Sequence, residues 1–311
     1  MATLANSATT DPNEALSHEF HAEAYVLSGR LKIPVEQEIR KQVPVALTGE
    51  RGGHFYQKID NYSLEGIISF RSGYTRVSGN PSQKKDHGWV TLSTSVLEGL
   101  NVLDVIKADR LVAQVSTDHP KVNGHVPMVT FLGTSFDNLQ IGGYPVNVEL
   151  DLNMCGEKPE DDRAYLDDVS FLNRVEWQRS SILSLPDLPK DLAAEYDKEL
   201  SVIRDLKSHC NDKRNGDGRT VDIRCSLVKH IDPIPGVKIF GNVLQIPDFG
   251  IVKLAEVKVG LEAEKANSSE PPPEHPESNY FTLTMLQMKM GCIGEGTANA
   301  GTANTNGRNK P

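Results

Sequence analysis

Apolar and polar residues alternate with a period of two in four stretches of the chain, at 90–96, 111–115, 146–153 and 221–227. Successive side chains of a β-strand point to opposite faces of its sheet, so this period predicts strands with one face on a core and one in water. The run 128–132 is apolar on both faces apart from one threonine, which indicates a strand covered on both sides. Glycine and Asn/Asp turns separate these runs. Together they predict a mainly β fold, a large antiparallel sandwich or barrel-like domain.

A helical period replaces the alternation between 156 and 212, where we expect an inserted helical hairpin. The first predicted helix covers 170–183. The second has a start signal at Pro189 and a stop signal at Asn211. Apolar residues of the second helix fall on one stripe, with charged residues elsewhere, at Leu192, Tyr196, Leu200, Ile203 and Leu206.

Composition shifts along the chain predict its organisation. Both ends are rich in small polar residues without periodicity, and consecutive prolines interrupt one later segment. The predicted parts are a disordered N-terminus at 1–17, a β-rich part at 18–155, the helical insert at 156–212, a second β-rich part at 213–293 with a Pro-rich loop at 262–278, and a flexible tail at 294–311.

The chain is acidic, with a formal net charge of −9 and a pI of about 5.5. Such a protein repels phosphate backbones, and its short basic segments Lys84-Lys85 and Lys213-Arg214 each have an aspartate close by, so nucleic acid is not an expected partner. No apolar run is long enough to span a bilayer, and the N-terminus has no secretory signal pattern. The cytoplasm is the default expectation for localisation, and the cell surface would follow if the N-terminus had been trimmed.

Four cysteines are scattered through the sequence and match no zinc pattern, so we expect no metal and no cofactor. Cys210 and Cys225 flank a Gly-rich turn. A disulfide between them is one expectation, and two free buried thiols are the other.

Three short segments carry a resemblance to a known family. The segment 135–146 reads SFDNLQIGGYPV, 240–246 reads FGNVLQI, and 282–286 reads TLTML ahead of a Gly/Ala-rich end. In this order they resemble bacterial β-rich proteins of the choice-of-anchor P family, which has no assigned function. The resemblance implies a surface or interaction module, with no catalytic residues to carry over.

Asp118, His119 and His125 are the candidate catalytic residues. The two histidines flank an Asn-Gly turn and would meet across a hairpin, where Asp118 could orient the first of them for acid–base or metal chemistry. The alternative is that these histidines only terminate a hairpin. The sequence has no G-x-S-x-G, P-loop, dinucleotide or H-E-x-x-H motif.

Tyr56, Tyr74 and Trp89 are the candidate ligand-binding residues, in a part of the chain rich in aromatics. Exposed rings of this kind stack on sugars or on partner proteins, whereas buried rings would belong to the core. Trp89 shares the Thr/Ser side of its strand and lies opposite Val90 and Leu92, which predicts an exposed ring.

Three functions therefore stay open. The absence of catalytic motifs favours a non-enzymatic binding or assembly module over an enzyme. The alternatives are a hydrolase with a site near Asp118, His119 and His125, and a glycan-binding β module. Self-association is also expected, because extended strands at 128–132 and 282–290 have edges that need covering.

Overall fold

A computed structural model describes residues 17–33, 36–83, 87–121, 124–210, 221–263, 277–291 and 295–310. Several predictions lie outside these residues. They are the disordered N-terminus up to residue 16, most of the Pro-rich loop, and residues 211–220 of the Gly-rich turn that Cys210 and Cys225 flank. Cys210 itself donates to the carbonyl oxygen of Leu206 at 3.2 Å and forms no disulfide with Cys225.

The part of the chain before the helices forms strands β1 (Ser17–Leu31), β2 (Gln37–Gln42), β3 (Val45–Gly49), β4 (Gly53–Leu64), β5 (Ile68–Pro81), β6 (His87–Val102), β7 (Ile106–Pro120), β8 (Met128–Thr130), β9 (Ser135–Asp137), β10 (Gln140–Ile141), β11 (Tyr144–Pro145) and β12 (Val148–Leu150). Two single turns of 3-10 helix at Glu160–Asp162 and Tyr165–Asp167 lead into helices α1 (Val169–Leu183) and α2 (Lys190–Ser208). The remaining strands are β13 (Val221–Ser226), β14 (Val228–Ile231), β15 (Lys238–Phe240), β16 (Val243–Ile246), β17 (Gly250–Ala263), β18 (Glu277–Met290), β19 (Gly296–Thr305) and β20 (Arg308–Lys310).

The strands form two large antiparallel sheets. The ten-stranded sheet has the order β15-β16-β17-β18-β19-β1-β2, with β13, β20 and β3 paired at its sides. The eight-stranded sheet has the order β11-β10-β7-β6-β5-β4, with β8 and β9 paired to β7. The sheets face each other and do not close into a barrel, so the predicted mainly β sandwich with a helical hairpin is confirmed.

Small residues separate the two sheets where β1 and β19 cross β5, β6 and β7. The Ser93 hydroxyl donates to the carbonyl oxygen of Glu23 at 2.8 Å, and the Ser95 hydroxyl donates to that of Tyr25 at 2.9 Å. Side chains of β6 therefore hydrogen-bond directly to the backbone of β1, which requires a close approach of the sheets. The Thr/Ser side of β6 is thus its core side, and the expectation that this side faces water is wrong.

The predicted tail at 294–311 is also wrong over residues 296–310. Strand β19 pairs with β18 on one side and with β1 on the other, and it lies inside the larger sheet. Its Gly/Ala/Thr/Asn composition is typical of a linker. A central strand that packs closely against a second sheet also requires small side chains, so composition does not distinguish the two. Ala298, Ala300 and Ala303 are all fully buried.

Two predictions about strand edges need correction. Strand β18 is paired on both sides, by β17 and β19, so 282–290 is not an edge. The run 128–132 is not covered on both sides, because β8 is only three residues long and Met128 and Leu132 remain 40% and 64% exposed.

The helical hairpin begins at a regular N-cap. The Asp168 carboxylate accepts hydrogen bonds from the backbone N–H groups of Ser170 and Phe171, which are among the unpaired donors of the first turn of α1. The apolar stripe of α2 is buried as predicted. Both helices contact β13, so the hairpin packs on the larger sheet.

Candidate functional site

Among the strands that the structure describes, β4 is an edge of the smaller sheet. Its residues from Gly53 to Leu64 pair with β5, and no other strand within the described residues pairs with it. Most of its side chains are exposed, including Phe55 at 48% and Tyr56 at 53%. An edge of this length presents a row of unpaired backbone N–H and C=O groups to any extended segment.

The crossing between the sheets explains why β4 is an edge. Strand β3 belongs to the larger sheet, and the chain passes through residues 50–52 into β4 of the smaller one. A Cβ atom on Gly52 would overlap the carbonyl oxygen of Gly79 in β5, so only glycine permits this close turn. After the crossing, β4 is the outermost strand.

The outer face of β4 carries an aromatic pair and an ion pair. The rings of Tyr56 and Tyr74 lie 5.9 Å apart between centroids. Beside them, the Lys58 ammonium lies 2.9 Å from an Asp60 carboxylate oxygen, and the hydrogen bond to Asp60 raises the pKa of Lys58. This face is therefore amphipathic and open to contact.

Trp89 does not join the two tyrosines. The regular pairing of β5 with β6 aligns Tyr74 with Val96 and Pro81 with Trp89, which places Trp89 on the opposite face of the sheet. The indole is half-buried and stacks on the His18 ring at 5.2 Å and 11°. A glycan site on this sheet would rest on Tyr56 and Tyr74 alone.

The candidate catalytic residues are only partly brought together. His119 is 1% exposed and points between the sheets, whereas Asp118, the preceding residue of the same strand, points to the other face. His125 is half-buried and close enough for its charge to lower the pKa of His119. Its backbone N–H donates to the Asp162 carboxylate at 2.7 Å.

The partner that His119 does meet is His18 of β1, with 4.6 Å between ring centroids. Burial is the main reason that the pKa of His119 is well below its ordinary value, with the neighbouring His18 as a second cause. Burial also lowers the pKa of His18 to about 4, although a hydrogen bond from its Nδ1 to the Asn309 side chain, 2.8 Å long, opposes this. Both rings are neutral at pH 7, and the His119 ring is buried.

A pattern in the sequence marks the His18 side of this contact. Residues Phe20, Ala22, Ala24 and Val26 alternate with polar residues, which is the pattern of a strand with one buried face, and His18 continues that face. No alternation of apolar and polar residues marks Asn309 as buried, because it follows the Gly/Ala-rich segment.

A buried charge network holds the helical hairpin to the sheet, and the sequence did not indicate it. The Arg179 side chain is completely buried, with its Nε 2.7 Å from an oxygen of Glu199 and its Nη2 donating to the carbonyl oxygen of Arg224. The guanidinium carbon lies 4.4 Å from the centroid of the Tyr196 ring. Burial raises the pKa of Glu199. The network joins α1, α2 and β13.

A cavity of about 380 Å³ lies beside strands β15, β16 and β17. None of the six candidate site residues lines it; its walls include Lys238, Gln245, Ile246 and Ile251. Across the described ranges, no group of three or more His, Cys, Asp or Glu side chains is placed to hold a metal ion. No helix in the same residues is both long and apolar enough to cross a membrane.

Comparison with known proteins gives a family but no activity. No curated protein and no solved structure matches the chain. A family described as "Domain of unknown function (DUF8256)" matches residues 18–260, from the start of β1 to near the end of β17. Since this match covers more than half of the sequence, the chain belongs to the DUF8256 family.

Proposed function

We propose that this protein is a non-enzymatic assembly module whose copies associate through the edge strand β4. The observation that carries the proposal is that β4 pairs with β5 alone among the described strands and exposes about half of Phe55 and of Tyr56. A long edge strand with exposed aromatic side chains is a template for further strand pairing. The buried position of His119 supports the choice of assembly over hydrolysis.

The sequence of β4 favours a second copy of the same chain as the partner. Antiparallel pairing about a two-fold axis at Gln57 would place Phe55 opposite Ile59 on one face of the sheet. On the other face it would place Tyr56 opposite Lys58, and His54 opposite Asp60. These are an aromatic–aliphatic pair, a cation–π pair and a histidine–carboxylate pair.

The regular part of β4 ends where this register ends. Asn61 has a positive φ of 57°, and the pairing with β5 passes from Asp60 directly to Tyr62. Because an irregular residue interrupts the edge there, strand pairing between copies is confined to the segment up to Asp60.

The test is sedimentation velocity of the full chain across the micromolar range. We expect a reversible dimer, and Phe55→Lys should weaken it about tenfold. The two-fold axis repeats the Phe55–Ile59 pair, so one substitution removes two aromatic–aliphatic pairs. Trp177→Lys is the matched control, because Trp177 is 73% exposed but lies on α1, and it should leave the dimer unchanged. A monomer throughout, or an equal effect of both variants, would overturn the proposal.

Cross-linking tests the register. Gln57→Cys should give a covalent dimer without reductant, because the introduced thiols of two copies face each other across the axis. Ser63→Cys, which is exposed on the same strand beyond Asn61, should cross-link much more slowly. Equal cross-linking at both positions would exclude the register centred on Gln57.

A further inference from the structure

The cavity beside β15, β16 and β17 has the size of a pocket for a small molecule, at about 380 Å³. Two of its wall positions, Gly236 and Gly291, are bare backbone. A Cβ atom at Gly236 would meet no atom within 4 Å, and one at Gly291 would come no closer than 3.7 Å to the carbonyl oxygen of Phe249. The two glycines therefore leave the space open to a molecule that enters from solvent.

Strand register builds one wall of the cavity from a row of three side chains. Lys238 of β15 pairs with Gln245 of β16, and Gln245 pairs with Ile251 of β17. Residues directly opposite each other in adjacent strands project from the same face, so an ammonium, an amide and an apolar side chain lie next to one another. Ile246 and Pro247 add further apolar surface to the lining.

Asp248 contributes a carboxylate from the turn between β16 and β17. The turn is fixed at two points, because the backbone N–H of Phe249 donates to the carbonyl oxygen of Ile246 at 3.3 Å and the N–H of Gly291 donates to that of Phe249 at 2.7 Å. Phe249 is itself only 2% exposed and anchors the turn in the core. The carboxylate of Asp248 is thus held beside the cavity by a rigid backbone.

The two charged side chains of the cavity do not neutralise each other. The ion-pair partner of Lys238 is Asp187 in the loop between the helices, at 3.9 Å, and both side chains of that pair are more than half exposed. Such a pair contributes little, so another carboxylate can replace Asp187 at small cost. Asp248 is exposed and makes no ion pair with Lys238 or with any other cation in the described ranges.

We infer that this cavity binds a free amino acid with an apolar side chain. A cation and an anion that line one small cavity without pairing are complementary to a molecule that carries both charges. The carboxylate of the amino acid pairs with Lys238, its ammonium group pairs with Asp248, and its side chain packs against Ile246 and Ile251. The site belongs to the larger sheet, whereas β4 belongs to the smaller one, so it is independent of the proposed association.

The experiment is a titration of the full chain with L-leucine, followed by calorimetry and by the amide NMR signals of Gly236 and Gly291. We expect a Kd of about 0.1–1 mM and shifts of both signals. N-acetyl-L-leucine lacks the ammonium group and L-leucinamide lacks the carboxylate, so each should bind at least about tenfold more weakly. Equal binding of either analogue, or no binding of leucine at about 10 mM, would overturn the inference.

Three variants place the ligand in the cavity. Lys238→Met and Asp248→Asn should each weaken leucine binding about tenfold, and asparagine tolerates the positive φ of 59° at position 248. Gly291→Leu should abolish binding, because the new side chain occupies the cavity and the backbone there is not in the left-handed region.

Lys229→Met is the matched control. Lys229 is 62% exposed and also pairs with a carboxylate, that of Glu149, but it does not line the cavity, so its substitution should leave binding unchanged. If Gly291→Leu fails to fold, the two charge variants still decide the outcome, since both positions are exposed. Equal losses in Lys238→Met and Lys229→Met would show that net charge, and not this cavity, governs the binding.

Discussion

The imidazole ring of His18 lies against that of His119, with 4.6 Å between their centroids, although they belong to opposite sheets of the sandwich. Trp89 also stacks on His18, with 5.2 Å between centroids, and Phe20 meets the His18 ring edge-on at 4.6 Å. The two histidines thus act as neutral core aromatics between the sheets. Their charged forms would be buried beside each other.

Stability should therefore depend on pH in the acid range. In the unfolded chain a histidine has a pKa of about 6.5, whereas folded His18 has a pKa of about 4. Between these pH values the unfolded state binds more protons than the folded state. The contribution of neutral His18 to the free energy of unfolding is therefore fully present above about pH 6.5 and is lost as the pH falls to about 4. For His18 alone the difference corresponds to about 3 kcal/mol, and His119 adds in the same direction.

Urea unfolding at several pH values between 7.5 and 4 measures this dependence. His18→Phe and His119→Met should each make the free energy of unfolding less dependent on pH. Thr48→Ala, at an exposed position that carries no titratable group, is the control and should leave the dependence unchanged. An unchanged slope in both core variants would show that other groups cause the acid sensitivity.

Substitution of Ala300 by proline should destabilise the protein by about 3 kcal/mol or more, because the strand has neighbours on both sides and proline cannot donate to the ladder. Thermal unfolding followed by circular dichroism measures the loss. Thr297→Ala, at an exposed position of the same strand, is the control and should have little effect. A tail outside the sheet would tolerate both changes equally.

Replacement of Arg179 by leucine should cost about 3–5 kcal/mol, because it leaves the largely buried Glu199 carboxylate without its closest cation. The double variant with Glu199→Leu should recover part of this loss, since both charges are then removed. A double-mutant cycle from urea unfolding gives the coupling energy.

Arg71→Leu is the matched control for this cycle. Its side chain is 69% exposed and 3.9 Å from Glu98, so the substitution should change the stability by less than about 1 kcal/mol. If the Arg179 and Arg71 variants lost similar free energies of unfolding, burial of the ion pair would not explain the cost of removing Arg179.

Ser95→Ala should cost about 1–3 kcal/mol, because the buried carbonyl oxygen of Tyr25 then loses the hydroxyl donor at 2.9 Å. Ser116→Ala, on the half-buried outer side of β7, is the comparison and should cost less. If removal of the Ser95 hydroxyl were neutral in chemical unfolding, the close contact between the sheets would not depend on this hydrogen bond.

Local periodicity was sufficient for much of the fold. The alternation at 221–227 corresponds to β13, and the stripe at Leu192, Tyr196, Leu200, Ile203 and Leu206 is the buried side of α2. Both patterns follow from the geometry of one element against one apolar surface, so a single stretch of sequence contains the information. The prediction of a β-rich sandwich with a helical hairpin followed from these stretches.

The candidate site depended on contacts that no single stretch contains. Asp118 and His119 are neighbours in sequence, but alternation along β7 places them on opposite faces, and His119 meets a histidine from the first strand of the chain. The exposure of β4 depends on where the chain changes sheets, which a local pattern does not reveal.

By itself, the sequence determined which segments are strands and helices, because hydrophobic period and turn residues act over a few positions. The tertiary structure decided which polar residues belong to the core. The sheets approach closely enough for serine hydroxyls of β6 to reach the backbone of β1, so Ser93 and Ser95 are buried and an Ala/Gly/Thr segment becomes the central strand β19. Sheet spacing is a property of two surfaces together, and the side chains of either strand alone do not specify it.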